Sequence, residues 1–211
     1  MKCQPDILLY KSSNPAELYK SVLKQIYSQN FKIKGDKKIS NETRAVLELS
    51  DFDKFLKVSI KRNSIESNFD YSKYGDKNND KMKEECAYYY ETIFGSGKFD
   101  KALKMLKEDS STKKAIITIN EAPKPKNGKI PCMTCLWARI INGKLTLSCH
   151  MRANNAYRIM LMNIQINQAI QKEFAKRLNL PLGNYYHFVD SLHLYKKELN
   201  DVKSFLESFR E

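Results

Sequence analysis

Glycine and proline are scarce in this chain, at 7 and 6 of 211 residues. That leaves little room for long disordered tracts. No apolar run approaches the length of a membrane-spanning helix. The opening segment, Met1-Lys2-Cys3-Gln4-Pro5-Asp6, lacks the apolar core of a secretion signal. The expectation is a cytoplasmic protein with no membrane contact. Cysteine is sparse and odd in number, five in all, at 3, 86, 132, 135 and 149. Thiols scattered in that way are not a disulfide framework. Cys132-x-x-Cys135 has zinc or redox spacing, but no second pair completes a tetrahedral site. No metal is therefore expected. Tryptophan occurs once, at Trp137.

What the chain does have is apolar and basic. Hydrophobic residues at 42% and aromatics at 11% support a folded globule, and the length suits a single domain over 1–211. The formal net charge is +13. The excess is lysine, spread along the chain rather than gathered into one arm. A nucleic-acid footprint is a concentrated patch, so a polymer partner is disfavoured, and attraction of a small anionic nucleotide is the more modest use of the same field.

Periodicity divides the chain. Residues 15–29 place Leu18, Val22, Leu23 and Ile26 on one helical face behind Asn14-Pro15. Residues 44–50 and 56–62 read as strands, and 64–86 as a polar surface excursion. A helix fits 98–108, a buried-type strand 115–119, and a turn-rich connector 123–128. Asn142-Gly143 joins two strands, 134–141 and 144–151, and Asn-Gly between apolar runs is a strong hairpin signal. The longest helix covers 159–178, with Ile164, Ile170 and Phe174 on its apolar face. A last strand covers 189–195, and a short helix 201–209. A hairpin among mixed elements excludes a purely parallel sheet, so the expected class is α/β or α+β with a mixed sheet.

Cys132, behind Pro131 at a strand start, is either a nucleophile in need of a lowered pKa or a buried structural cysteine. Cys135 and Cys149 read as strand interior. Arg152 offers a planar fork for a phosphate, or a surface salt bridge. Asn163 has one donor edge and one acceptor edge, suited to a pyrimidine or to a helix cap. His193 and Tyr195, two apart on a strand, share a face.

In order and spacing, Pro131-Cys132, Gly143-Lys144-Leu145, Arg152, Asn163 and His193-Leu194-Tyr195 resemble the thymidylate synthase family. Ser110 to Ile117 is similar to the family's Ser-Arg-Arg segment, and Tyr88-Tyr89-Tyr90 to its Tyr-Gly-x-Arg segment. The resemblance covers about residues 88–196. It implies a thymidylate-synthase-like domain that dimerises through its sheet. It also implies a thiolate of Cys132 that adds to C6 of a pyrimidine nucleoside monophosphate. Tyr89, or its neighbour Tyr88, would help remove the C5 proton. Arg152 would hold the phosphate, with Lys113 and Lys114 from the partner subunit where the family has two arginines. Asn163 would read the base, and His193 and Tyr195 the sugar. The one-carbon donor would be methylenetetrahydrofolate.

The departures sharpen that expectation. Ala153 stands where most members have serine, which opens space near the ribose, as in cytidylate hydroxymethylases. Asn155 replaces an aspartate that touches pyrimidine and folate. Met133 follows the nucleophile where histidine is common. The general-base glutamate helix and its tryptophan have no clear counterpart. Trp137 lies inside the hairpin, and Glu66 is a weak substitute. The closing C-terminal tail also lacks a match. These features favour 5-hydroxymethylation, of CMP ahead of dCMP or dUMP, over full methylation. A nucleotide-binding protein without folate chemistry and a minimal thymidylate synthase are the alternatives.

Overall fold

The computed structural model describes residues 7–28, 38–50, 59–61, 64–66, 88–119 and 130–208. Its centre is a mixed sheet in the order β1-β2-β9-β7-β6-β5. The strands are β1 (Ile7–Ser12), β2 (Ile39–Leu49), β5 (Ile116–Thr118), β6 (Met133–Ile141), β7 (Lys144–Met151) and β9 (Leu182–Tyr195), and the two-residue β8 (Asn154–Asn155) pairs with β9. A separate hairpin joins β3 (Ser59–Lys61) to β4 (Ser64–Glu66). The β1–β2, β7–β9 and β8–β9 pairs are parallel, and the rest of the sheet is antiparallel. The mixed α/β architecture expected from the sequence is the one observed.

The hairpin β6–β7 turns at Asn142 (φ 51°) and Gly143 (φ 72°). Two consecutive positive φ values match a tight hairpin turn, which is why Asn-Gly stands there. The helix α1 (Pro15–Ser28) begins where Asn14 Oδ1 accepts the Glu17 N–H at 3.4 Å, a side-chain cap. The helices α2 (Lys98–Glu108), α3 (Met160–Leu178) and α4 (Leu199–Glu207) follow. Asn179 closes α3 in the left-handed region (φ 53°), ahead of Pro181.

The core lies on one face of the sheet. Ala45, Leu47 and Leu49 of β2 pair there with Val189, His187 and Tyr185 of β9. Leu145, Leu147, Cys149 and Met151 continue the same face along β7. Leu18, Val22, Leu23 and Ile26 of α1 are buried with them, as is Phe174 of α3. Phe174 packs on Phe99 of α2 with ring centroids 4.1 Å apart. Truncating a buried leucine in such a core costs about 2–5 kcal/mol.

Several strands differ from the sequence reading. The strand β2 starts at Ile39 and β9 at Leu182, each well before its expected start. The early half of β9, Leu-Gly-Asn-Tyr-Tyr-His-Phe, is rich in aromatics, which favour strands. The strand β1 was not expected at all. Part of the expected polar excursion is the strand β4, and 67–86 lies outside the described residues, as does the connector at 123–128.

The strand β9 carries a bulge. Ala45 pairs with Val189, but Thr43 pairs with Leu192. Two steps on β2 therefore match three on β9, and an extra residue reverses which side chains face the core. Tyr185, His187 and Val189 face inward with Leu192, while His193, across from Glu42, points to the other face.

Candidate functional site

Cys132 immediately precedes β6 and is half-buried. Two distant segments meet at its backbone. The Tyr89 hydroxyl accepts the N–H groups of both Cys132 and Met133, each at 3.1 Å. The Arg152 N–H donates to the Cys132 carbonyl at 2.9 Å. The Arg152 side chain reaches the same loop, with Nε donating to Pro131 O at 3.0 Å and Nη2 to Ile130 O at 2.7 Å. Tyr89 and not Tyr88 makes these contacts, since the Tyr88 hydroxyl donates to Ile119 O at 3.1 Å. Tyr89 is buried at the head of a π-helical turn, Glu91–Gly95, a device that re-aims side chains locally. The guanidinium of Arg152 is exposed, so one rigid fork both braces the cysteine loop and faces outward.

Asn163 sits in the first turn of α3 and is buried. Its Nδ2 donates to Asn154 Oδ1 at 3.3 Å. Asn154 Nδ2 lies 2.9 Å from His187 Nε2, and His187 Nδ1 lies 2.8 Å from the Tyr185 hydroxyl. Asn167 Nδ2 donates to that hydroxyl at 3.0 Å, and Cys149 shares a hydrogen bond with it. Cys149, Asn167, Tyr185 and His187 are fully buried. Burial pushes the Cys149 thiol and the Tyr185 phenol well up. Burial, with help from His150, pushes His187 down to about 3. The ring is therefore neutral over the ordinary pH range.

His193 and Tyr195 lie beside each other, ring centroids 5.0 Å apart. His193 Nδ1 is 3.2 Å from Ser191 O. Ser191 Oγ lies 3.4 Å from the same nitrogen; with Nδ1 donating to the carbonyl, Nε2 is an acceptor. That Nε2 is buried with no hydrogen-bond partner among the described residues. Beneath the pair lies Glu198, fully buried. Its Oε2 accepts the Tyr195 N–H at 3.0 Å and Asn155 Nδ2 at 2.7 Å. Its Oε1 is 2.8 Å from Arg158 Nε, an ion pair rather than an aligned hydrogen bond. Asn155 Oδ1 accepts the Arg158 N–H at 2.6 Å. Both ends of the Asn155 amide are thus engaged within the fold.

Ala153 is half-buried between Arg152 and β8. Lys113 and Lys114 are exposed on the segment before β5, and the Lys113 carbonyl accepts the Trp137 indole N–H at 3.1 Å. Among the described residues no group of three or more His, Cys, Asp or Glu could hold a metal ion, and no helix is long and apolar enough to cross a membrane. The side chain of Glu66 is outside the described residues.

Sequence reasoning missed Asn154, Tyr185, His187 and Glu198. One signal was available. Asn163, Asn167 and Gln171 recur at i, i+4 and i+8 and form an amide stripe on α3. Gln171 Nε2 ends that stripe by donating to Leu145 O at 2.9 Å and Gly183 O at 3.1 Å.

The chain is similar to two curated thymidylate synthases of Streptococcus agalactiae, from serotype Ia and serotype III. Each is 26% identical over 113 residues, which is 51% of this chain and 40% of the relative. The match therefore spans about two fifths of the length of those relatives. Among solved structures, thermostable thymidylate synthase A from Bacillus subtilis matches with a TM-score of 0.48 and 22% identity, over 52% of this chain and 40% of that one. The family model for thymidylate synthase matches residues 67–210, more than half of the chain, and takes in Tyr89, Cys132, Arg152, Asn163 and His193-Leu194-Tyr195. The chain belongs to the thymidylate synthase family.

Proposed function

We propose that this protein is a one-carbon transferase acting at C5 of a pyrimidine nucleoside 5'-monophosphate. The observation that carries this reading is the convergence of Tyr89 and Arg152 on the backbone of Cys132. Residues 43 and 20 positions away, by sequence number, hold that one loop from two sides. Such bracing suits a nucleophile that must meet C6 at a fixed place. The Cys132 thiolate adds to C6, and the electron pair released from the C5–C6 double bond makes C5 nucleophilic. Arg152 holds the phosphate with its outward donors. Asn163 reads the base edge. His193 supplies the acceptor Nε2 to a sugar hydroxyl, which is the partner that buried atom lacks. Tyr89, hydrogen-bonded at the cysteine loop, helps move the C5 proton. Ala153 leaves room for a ribose 2'-hydroxyl.

Methylenetetrahydrofolate, as second substrate, would supply the methylene carbon. Asn155, at the position where the family contacts folate, is engaged with Glu198 and Arg158, so that contact does not fit. This favours a looser donor site, and with it a sequence in which C5 takes the methylene, the C5 proton and tetrahydrofolate leave, water adds to the resulting exocyclic methylene, and the Cys132 thiolate is expelled from C6 to give a 5-hydroxymethyl nucleotide. CMP is the preferred substrate, ahead of dCMP and dUMP. Release of tritium from the 5-tritiated nucleotides in the presence of methylenetetrahydrofolate tests the reading, and chromatography of the product separates hydroxymethyl from methyl. No release from any of the three would sink it.

The same Asn155 arrangement supports a second reading, a nucleotide binder without folate chemistry. Calorimetry with nucleotide and then folate separates the two, since only the enzyme would show coupled binding of both. A homodimer is proposed for either. Ile7, Leu9, Ile116, Trp137 and Ile141 are exposed apolar residues on the sheet face opposite the core. Lys113, whose carbonyl meets the Trp137 indole, and Lys114 next to it in sequence would reach the neighbouring copy's phosphate.

A further inference from the structure

The buried chain behind Asn163 has a direction, and the direction follows from what each atom can do. Asn154 Nδ2 can only donate, so His187 Nε2 accepts and the ring proton resides on Nδ1. That proton goes to the Tyr185 oxygen. The same oxygen takes a second hydrogen bond from Asn167 Nδ2, and its own proton is left for the Cys149 sulfur. With Asn154 so oriented, its Oδ1 faces Asn163 and requires the amide nitrogen of Asn163 on that side. If His187 carried its proton on Nε2 instead, Asn154 would have to turn over, and Asn163 with it. The position of one proton in the interior is thus tied to the orientation of an amide on the base-reading side.

That orientation matters chemically. Uracil offers a donor at N3 and an acceptor at position 4, whereas cytosine offers an acceptor at N3 and a donor amino group. A fixed amide matches one edge, and the turned-over amide matches the other. We propose that His187 is a positioning residue for base choice: its Nδ1–H tautomer, relayed through Asn154, locks Asn163 in one orientation and so sets the discrimination between uracil and cytosine monophosphates. This rests on the reading of Asn163 as the base-contacting residue. The burial that keeps His187 neutral prevents the ring from donating at both nitrogens, which would erase the direction.

Two measurements test it. Nitrogen-15 spectra of the histidine side chains of the nucleotide-free protein should show His187 as the Nδ1–H tautomer. Calorimetry on wild type with UMP, CMP, dUMP and dCMP should show a preference for one base, and His187→Phe should narrow that ratio by about ten-fold. His187→Gln, whose amide oxygen can replace Nε2 as the acceptor, should keep the ratio within about three-fold of wild type. An Nε2–H tautomer, an absent base preference in wild type, or an unchanged ratio in His187→Phe would overturn the inference while leaving the nucleotide site standing. Failure of the wild type to bind any of the four overturns the nucleotide reading itself, and this inference with it. Should His187→Phe not fold, the tautomer and the His187→Gln ratio decide.

Discussion

Two polar clusters flank the same stretch of chain, and they are built in opposite ways. Around Cys132 the partners are backbone groups, namely carbonyls held by Arg152 at an accessible corner and, just inside it, N–H groups received by the buried Tyr89. Around His187 and Glu198 the partners are mostly side chains in the buried interior. An accessible cluster can lose a group without exposing an unmet need, because water substitutes. A sealed one cannot, because each amide or carboxylate stripped of its partner stays desolvated. Function should therefore be separable from stability at the first cluster and inseparable from it at the second.

The sharpest break of that contrast is Cys132→Ala. Tritium release should fall to background, at least about a thousand-fold, because the proposed addition to C6 needs the Cys132 thiolate. Urea unfolding should move by less than about 1 kcal/mol. A large loss of stability would place Cys132 with the interior residues. Glu198→Ala should do the reverse. It strips Asn155 Nδ2 and the Tyr195 N–H of their common acceptor, while the half-exposed Arg158 turns to water; each buried donor left unmet costs about 1–3 kcal/mol, and the denaturation midpoint should drop accordingly. Retention of full stability would mean that Arg158 and Asn155 find other partners.

Tyr89→Phe probes the border between the clusters. It removes the acceptor for two N–H groups, so a loss of about 1–3 kcal/mol is expected, together with slower turnover. A change in turnover alone would assign Tyr89 wholly to chemistry. The last probe is a pH slope, small over any one pH unit. An unfolded histidine takes up a proton near pH 6.5, whereas His187 in the fold resists down to about 3. The contribution is therefore complete above pH 6.5 and is lost as pH falls toward 3. Through that window its share of the slope is about 1.4 kcal/mol per pH unit. Urea titrations at several pH values should show that share vanish in His187→Phe, and an identical slope would mean His187 is protonated in the native protein.

The accessible cluster was the legible one. Cys132, Arg152 and Tyr89 stand in motifs whose spacing survives in the linear chain, and their residue types carry chemistry that few other roles need. The hairpin was legible for a similar reason, because Asn142-Gly143 states its turn locally. The sealed cluster was opaque. Asn154 and His187 are 33 positions apart by number and meet only because β8 and β7 both pair with β9. Nothing local marks His187, since a histidine on a strand is equally at home in plain packing. The helix α3 misled in a subtler way. Its apolar face was correctly read from Ile164, Ile170 and Phe174, but Gln165, Asn167, Gln168 and Gln171 are buried too. A helix covered on most sides hides its polar stripe from an amphipathic reading.

The extra residue between Val189 and Leu192 makes the chain far less tolerant of changes in length than of changes in identity. Asp190 and Ser191 are exposed and half-buried, and either could be replaced at little cost. Deleting one of them would turn the end of β9 over, driving His193 and Tyr195 inward and Leu192 and Leu194 out. Leu192 and Asn154 would part in the same stroke. A family of such proteins would accumulate substitutions at this spot while its reading frame of inside and outside stayed fixed.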